Sequence, residues 1–156
     1  MNQSKFQVIA LDLEGTLICS QQGITPRPGL REFLDFCYQN FPRVVVYTLL
    51  SKTHAAQVAQ FLVQGEYAPP EFWSKFEYIS GPGRYKDLDH ISSSTAAEVL
   101  LVDDTPSNIK PEQRENWVQA KSFYSEGLTS AFGKVETSPD QELARIQEIL
   151  KQKITL

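Results

Sequence analysis

Phe6-Gln7-Val8-Ile9-Ala10-Leu11-Asp12-Leu13-Glu14-Gly15-Thr16 is the stretch of sequence that decides the fold. Its apolar run, Val8–Leu11, is typical of a strand that is buried on both faces of a parallel sheet. Asp12 follows this strand directly, and ligands of open α/β sheets bind at the carboxyl ends of the strands. A buried carboxylate needs a cation, a hydrogen-bonding partner or a proton, and a divalent metal ion would meet that need. With Glu14, Gly15 and Thr16 behind it, Asp12 therefore predicts a site for phosphate and a metal.

Short apolar strands and amphipathic helices alternate along the rest of the chain. Further strands are predicted at 44–47, 77–79, 99–102 and 117–120, and helices at about 28–40, 53–65 and 139–152. Thr53 is expected to cap the second of these helices, and Ser138-Pro139-Asp140-Gln141 is expected to begin the last. Residues 17–19 and 24–25 predict a small hairpin over the strand ends. Repeated βα units indicate an α/β fold, a doubly wound parallel sheet with helices on both faces.

Length and composition narrow the classes of protein. A chain of 156 residues suits a single domain, with a core at about 6–120 and the last helix packed on it. The net charge of −4 and the absence of a basic run disfavour nucleic acid as a partner. There is no apolar run long enough for a membrane span and no secretory signal at the start, so a soluble, cytoplasmic protein is expected. Cys19 and Cys37 have no metal-ligand spacing and are expected to be reduced thiols.

Polar side chains stand at the ends of three predicted strands. Asp12, Thr48 and Asp103 each end a strand, and parallel neighbours would bring them to one crevice. Each also has a simpler interpretation: Thr48 could be an ordinary strand end, and Asp103-Asp104 could cap a turn before Thr105-Pro106. Lys86, after the turn predicted at Gly81-Pro82-Gly83, could be solvated, in which case Arg84 would supply the positive charge instead.

These residues resemble the haloacid dehalogenase superfamily, whose four motifs occur here in order. The matching positions are Asp12-x-Glu14-Gly15-Thr16, Thr48, Lys86 and Asp103-Asp104. More narrowly, three segments resemble the branch of NLI-interacting-factor and polymerase C-terminal-domain phosphatases, over about residues 6–120. These segments are Arg27-Pro28-Gly29-Leu30-x-Glu32-Phe33-Leu34, Tyr47-Thr48 and Tyr85-Lys86-Asp87-Leu88.

The resemblance implies a Mg²⁺-dependent phosphomonoester hydrolase with a Rossmann-like sheet. Asp12 would be the nucleophile that forms an aspartyl-phosphate, and Glu14 would be the general acid and base. Thr48, the Leu49 backbone amide and Lys86 would bind the transferred phosphoryl group. Mg²⁺ would be held by the Asp12 carboxylate, the Glu14 backbone carbonyl and Asp104, with Asp103 beside them.

Two departures from the family pattern leave an alternative open. Glu14 stands where the family usually has a second aspartate, and Leu49-Leu50 stand where this branch usually has Ala-Ser. A catalytically weak relative that binds phosphorylated partners is therefore the second hypothesis. A phosphoacceptor receiver domain is the third, but a receiver has its acidic pair after the first strand, whereas here the pair follows the fourth.

The spacing of the motifs bears on the substrate. The intervals from Asp12 to Thr48 and from Thr48 to Lys86 are filled by one hairpin or turn and a helix each, which leaves no room for a cap domain. An uncapped crevice suits a phosphorylated protein segment, although a small phosphoester would also fit. Aromatic residues between the second and third motifs could line a binding groove or belong to the core. They are Phe72, Trp73, Phe76 and Tyr78.

Overall fold

The protein is built around one sheet of five parallel strands. A computed structural model describes residues 4–81, 83–124 and 140–155. The strands of this sheet are β1 Val8–Leu11, β4 Arg43–Tyr47, β5 Tyr78–Ile79, β6 Val99–Asp103 and β7 Trp117–Gln119. They lie side by side in the order β5-β4-β1-β6-β7. Strand β1 lies in the centre, and Leu11 is level with Val46 of β4 and Val102 of β6. The residues that follow these three positions therefore emerge together at one edge of the sheet.

Helices connect the strands and cover the sheet. The α-helices are α1 Leu30–Asn40, α2 Lys52–Gln64, α3 Glu71–Ser74 and α4 Glu142–Ile154. Short 3₁₀ helices occupy Leu88–His90, Ala96–Glu98, Pro106–Asn108 and Pro111–Asn116.

The two faces of the sheet are covered differently. Ile9 and Leu11 of β1 belong to the same buried cluster as the apolar side chains of α1, α2 and α4. Val8 and Ala10, which point the other way because side chains alternate along a strand, pack with residues of the 3₁₀ segments such as Leu88. The predicted doubly wound α/β sheet with helices on both faces is confirmed, with 3₁₀ helices on the second face.

The hairpin predicted after the first motif is also present. Strands β2 (Ile18–Cys19) and β3 (Thr25–Pro26) pair antiparallel as a separate two-stranded sheet. The chain from β1 to β4 consists of this hairpin, α1 and their connections. Cys19 and Cys37 are both buried, and no disulfide joins them.

Two helix starts differ from the sequence prediction. Helix α2 begins at Lys52 and is capped by Ser51, whose side chain accepts from the His54 amide, so the assignment of Thr53 as the cap is wrong. Ser138 and Pro139 lie outside the described residues, as does Pro82 of the predicted turn. Within the described part, α4 begins at Glu142, and the Asp140 side chain accepts from the Glu142 amide. Asp140 therefore supplies a side-chain acceptor for an amide at the start of α4.

None of the helices in the three described segments has both the length and the hydropathy of a membrane-crossing segment.

Candidate active site

Three buried carboxylates meet at the carboxyl edge of the sheet. Asp12 directly follows β1, and its amide donates to the Val102 carbonyl of β6 at 3.0 Å. Asp103 ends β6 and Asp104 follows it, so both reach the same edge. One oxygen from each of these three carboxylates lies within 4.8 Å of the others. The spacing is that of a group able to hold a metal ion between hard oxygen ligands.

Lys86 supplies the positive charge inside this cluster. Its Nζ lies 2.7 Å from Asp12 Oδ1 and 2.5 Å from Asp103 Oδ2, and its side chain is only 2% exposed. The Lys86 amide donates to the Asn108 carbonyl at 2.8 Å, which fixes the segment beside the loop that follows β6. Arg84, the alternative cation, is exposed, and its guanidinium lies over the Tyr85 ring. Of the two candidate cations, the structure brings Lys86 to the carboxylates.

The electrostatics of the cluster follow from its burial. Burial raises the pKa of Asp12 to about 7, and the neighbouring Asp103 adds to this, while Lys86 opposes it. Burial lowers the pKa of Lys86, but the charges of Asp12 and Asp103 outweigh it, so the pKa of Lys86 is raised above its usual value. One lysine therefore does not fully compensate the clustered acids, and a bound cation would favour the ionised form of Asp12.

Thr16 joins the first and last motifs. Its Oγ1 lies 2.7 Å from Asp12 Oδ2 and 3.2 Å from Asp104 Oδ1, and it accepts from the Asp104 amide at 3.1 Å. Gly15 permits this close approach: it has a φ of 84°, and a Cβ atom added there would lie 2.6 Å from Asp104 Oδ2. The Gly-Thr pair of the first motif therefore sets the distance between Asp12 and Asp104.

Glu14 lies beside the carboxylate cluster but is not part of it. The group of carboxylates close enough to share an ion, within the described residues, comprises Asp12, Asp103 and Asp104. Both carboxylate oxygens of Glu14 accept from the Ser20 amide, at 3.1 and 3.0 Å, and one also accepts from the Ser20 hydroxyl. Metal binding through the Glu14 backbone carbonyl, and its role as acid and base, stay predictions.

Thr48 and Leu49 follow β4 at the same edge of the sheet. Thr48 is buried, its amide donates to the Ile79 carbonyl at 3.3 Å, and its Oγ1 accepts from the Leu50 amide at 3.1 Å. Leu49 is 72% exposed. Leu50 instead packs against the core, and its carbonyl accepts from the Tyr78 hydroxyl at 2.6 Å. The two leucines that depart from the family pattern thus occupy different environments, and the phosphate-binding roles of Thr48 and Leu49 stay predictions.

Besides Ser20, the structure adds two residues that the sequence analysis did not assign to the site. The Ser122 hydroxyl donates to Asp104 Oδ2 at 2.7 Å. Arg27 is buried, and its guanidinium donates to the Thr16 carbonyl at 3.0 Å and to Asp140 Oδ2 at 2.6 Å. Arg27 begins the segment Arg27-Pro28-Gly29-Leu30 that resembles the phosphatase branch, so the sequence did contain a signal for this residue. Ser122 had none, because a serine after the fifth strand matches no motif.

The aromatic residues between the second and third motifs mostly belong to the core. Phe72 is buried in α3, and Phe76 and Tyr78 pack partly buried against the core cluster. Trp73 remains 40% exposed, with its ring 5.7 Å from that of Phe76. These contacts favour the core interpretation over a continuous binding groove.

Comparisons with known proteins identify chains of similar sequence and structure. A CTD phosphatase-like protein of Invertebrate iridescent virus 3 is 26% identical over an alignment of 194 positions. This alignment covers 97% of this chain and 98% of that protein. The RNA polymerase II CTD phosphatase Fcp1 of fission yeast, solved with beryllium fluoride, aligns with a TM-score of 0.69 and 16% identity. That alignment covers 95% of this chain but 62% of the yeast chain. A Vibrio cholerae protein assigned as a 3-deoxy-D-manno-octulosonate 8-phosphate phosphatase aligns at a TM-score of 0.52 with 8% identity, covering 97% of this chain and 87% of that chain.

The structural neighbours share the fold, a mostly parallel sheet flanked by helices, and the family follows from the sequence itself. The family model for NLI interacting factor-like phosphatases matches residues 7–155, nearly the whole chain. The protein belongs to the family of NLI interacting factor-like phosphatases, within the haloacid dehalogenase superfamily.

Proposed function

We propose that this protein is a Mg²⁺-dependent phosphomonoester hydrolase that works through an aspartyl-phosphate on Asp12. The observation that carries the proposal is the cluster of Asp12, Asp103 and Asp104 around Lys86 at the carboxyl edge of the sheet. A carboxylate can attack phosphorus only where its own charge and that of the phosphate are compensated. Lys86 and a divalent cation together would provide that compensation.

The residues at the site fit magnesium. Mg²⁺ prefers oxygen ligands and retains several waters, and the cluster offers three carboxylate oxygens within 4.8 Å of one another. Asp12, Asp104 and the Glu14 backbone carbonyl would hold the ion, with Asp103 next to them and bonded to Lys86. When bound, the ion would neutralise charge on the phosphoryl oxygens.

The chemistry divides into two displacements. In the first, an Asp12 oxygen forms a bond to phosphorus while the bond to the ester oxygen breaks, and Glu14 donates a proton to that leaving oxygen. In the second, Glu14 takes a proton from a water that attacks the phosphoryl group, which releases phosphate and restores Asp12. Glu14 is suited to both because it stands at the edge of the cluster, half-buried, rather than inside it.

Thr48, Leu49 and Lys86 would bind the phosphoryl group. The Thr48 oxygen already accepts from the Leu50 amide, so the hydroxyl retains its capacity as a donor. Lys86 is held between Asp12 and Asp103, which places its charge beside the attacking oxygen. The Leu49 backbone amide follows Thr48 directly and would be the second donor.

A phosphorylated protein segment is the substrate class that we favour. The chain between β1 and β4 adds only a short hairpin and α1, without an inserted domain, and this arrangement suits a phosphate carried on a protruding segment. Relatives named as CTD phosphatases support the same class. A panel of phosphopeptides and small phosphoesters would test this, and a preference for a small ester would contradict it.

The test of the reaction is hydrolysis of p-nitrophenyl phosphate with and without Mg²⁺, for the wild type and Asp12→Asn. We expect turnover that needs the metal and is abolished in the variant. Asp35→Asn, which changes an exposed aspartate of α1, is the control and should keep wild-type activity. Activity that survives in Asp12→Asn would refute the assignment of the nucleophile.

The same variants address the second candidate function, a catalytically weak protein that binds phosphorylated partners. One observation favours it: Leu49 is 72% exposed at a position where the branch usually has a small residue. Tight phosphopeptide binding without turnover by the wild type would support this candidate instead of the hydrolase.

A further inference from the structure

We propose that Ser20 is a positioning residue for Glu14, and that its hydroxyl aligns the carboxyl group which protonates the leaving oxygen. This inference rests on the proposed hydrolase function. It concerns a residue outside the four motifs, on the hairpin that follows the first of them. The decisive observation is that one serine donates to Glu14 through both its amide and its hydroxyl.

The contact orients the Glu14 carboxylate through several hydrogen bonds. The Ser20 amide lies 3.1 Å from Glu14 Oε1 and 3.0 Å from Oε2, so it donates to both oxygens, and the hydroxyl donates to Oε1 as well. A carboxyl group at the end of a glutamate has three rotatable bonds, and unrestrained it would sample many orientations. Donors on one side restrict those orientations and leave the rest of the carboxylate for the substrate.

The hairpin holds Ser20 firmly enough for this role. The Gly15 backbone amide donates to the Ile18 carbonyl at 2.8 Å, and the Arg27 backbone amide donates to the Leu17 carbonyl at 2.9 Å. Ile18 and Cys19, which directly precede Ser20, pair with β3. Both ends of the hairpin are therefore fastened close to the first motif, and Ser20 lies at a fixed distance from Glu14.

The length of the Glu14 side chain explains why this serine is needed here. An aspartate at the same position would withdraw the carboxylate by about one carbon–carbon bond, or about 1.5 Å. The bonds to Ser20 would then exceed hydrogen-bonding distance. The extra methylene of Glu14 adds freedom that an aspartate lacks, and Ser20 removes that freedom.

Leaving-group dependence separates this role from a structural one. A nitrophenolate leaves without much need of a proton, whereas phenolate is more basic and depends more on the general acid. We expect Ser20→Ala to lower kcat/KM for phenyl phosphate by about tenfold, a part of the 10²-fold or more that a general acid contributes, and to lower it for p-nitrophenyl phosphate clearly less. The ratio kcat/KM reports the first displacement, in which the leaving oxygen is protonated.

Three further variants complete the experiment. Ser20→Thr retains a hydroxyl and should restore most of the phenyl phosphate activity. Gln22→Ala, on an exposed residue of the same hairpin, should match the wild type. In a Glu14→Gln background, which has no acid to align, Ser20→Ala should cause no further loss.

Each outcome bears on one claim. If Ser20→Ala lowers kcat/KM equally for both esters, the positioning role is refuted while the hydrolase stands. The same conclusion follows if Ser20→Ala lowers kcat/KM by the same factor in the Glu14→Gln background as in the wild type. If the wild type hydrolyses neither ester, the proposed function and this inference fail together. Thermal unfolding of each variant checks that the effect does not arise from loss of the fold.

Discussion

Gly15 brings the loop after β1 into contact with the carboxylate cluster, and its substitution by alanine has a matched control at Gly23. Gly15 and Gly23 both have positive φ values, of 84° and 88°. A Cβ atom at Gly15 would lie 2.6 Å from Asp104 Oδ2, whereas one at Gly23 would meet nothing within 4 Å. The two glycines therefore share the backbone strain of an alanine substitution and differ in the steric contact.

Gly15→Ala is expected to cost more stability than Gly23→Ala and to weaken Mg²⁺ binding. The positive φ costs each variant about 1 kcal/mol or more, and crowding adds about 1–3 kcal/mol at Gly15 alone. Denaturant unfolding would give the free energies, and calorimetric titration the Mg²⁺ affinity. Equal losses of stability, with Mg²⁺ affinity unchanged in Gly15→Ala, would contradict the close approach to Asp104.

Lys86 neutralises a cluster that would otherwise hold only acids. Lys86→Met leaves Asp12 and Asp103 buried without their shared cation, and we expect a loss of about 3–5 kcal/mol in the free energy of unfolding without metal. Mg²⁺ should recover part of this loss, because it binds the folded state. Lys110→Met is the control: it removes a partly exposed partner of Asp87 and should cost much less stability than Lys86→Met. Equal losses in the two variants would contradict the conclusion that Lys86 compensates the buried charges of Asp12 and Asp103.

At the scale of elements, Asp87 fastens the segment that carries Lys86. Its carboxylate accepts from the Asp89 amide, the Gln113 side chain and Lys110, at 3.0, 2.8 and 3.0 Å. The small degree of burial tends to raise the pKa of Asp87, but these donors outweigh it and lower the pKa to about 2. Two 3₁₀ helices, Leu88–His90 and Pro111–Asn116, are thereby joined beside the site.

This shift predicts a pH dependence of stability. Because the pKa of Asp87 is lower in the folded than in the unfolded protein, its contribution is fully present above about pH 4 and is lost as the pH falls towards 2. The contribution is about 1–2 kcal/mol. The difference in unfolding free energy between the wild type and Asp87→Asn should therefore shrink from pH 5 to pH 2. A difference that stays constant over this range would show that the donors do not select the ionised form.

The elements that could be predicted from sequence are those with a strong periodic pattern. Val8–Leu11 and Val99–Asp103 are buried throughout, and uninterrupted apolar runs of this kind identify central parallel strands. Helix α3 and the 3₁₀ helices were not predicted, because segments of three to six residues are too short to display a helical period. The cap of α2 was misplaced by two residues: serine and threonine both cap helices, serine with the stronger preference, and Ser51 is the cap.

The residues of the site also divide into those that the sequence predicted and those that it did not. Asp12, Asp103 and Asp104 could be placed together from strand ends, because the carboxyl ends of neighbouring parallel strands meet. Lys86 follows a turn rather than a strand, and only the resemblance to the family placed it beside these carboxylates. The contacts of Ser20, Arg27 and Ser122 depend on loop conformations that carry no periodic signal. Sequence therefore predicted the charged centre of the site but not the residues that orient it.

At the scale of the whole molecule, Arg27 connects the first motif to the C-terminal helix. Its guanidinium donates to the Thr16 carbonyl and to Asp140, and it lies 5.2 Å from the centre of the Phe123 ring. Helix α4 in turn packs against α1 through Leu143, Ile146 and Leu150 in the main core cluster. Asp140, which lies just before α4, is thus linked through Arg27 to Thr16, whose hydroxyl contacts both Asp12 and Asp104.

Asp140→Ala tests whether this connection stabilises the molecule. The variant leaves the buried Arg27 with one partner fewer and removes the acceptor for the Glu142 amide, and we expect a loss of about 3 kcal/mol in unfolding free energy. Asp35→Ala breaks another Arg–Asp pair, that with Arg31, but these side chains are 46% and 42% exposed, so the loss should stay below about 1 kcal/mol. Denaturant unfolding of the two variants compares the pairs directly. Because Arg27 also donates to the Thr16 carbonyl, Asp140→Ala should weaken Mg²⁺ binding as well, whereas Asp35→Ala should leave Mg²⁺ binding unchanged. Similar Mg²⁺ affinities and similar stabilities of the two variants would mean that α4 packs on the core without influence on the site.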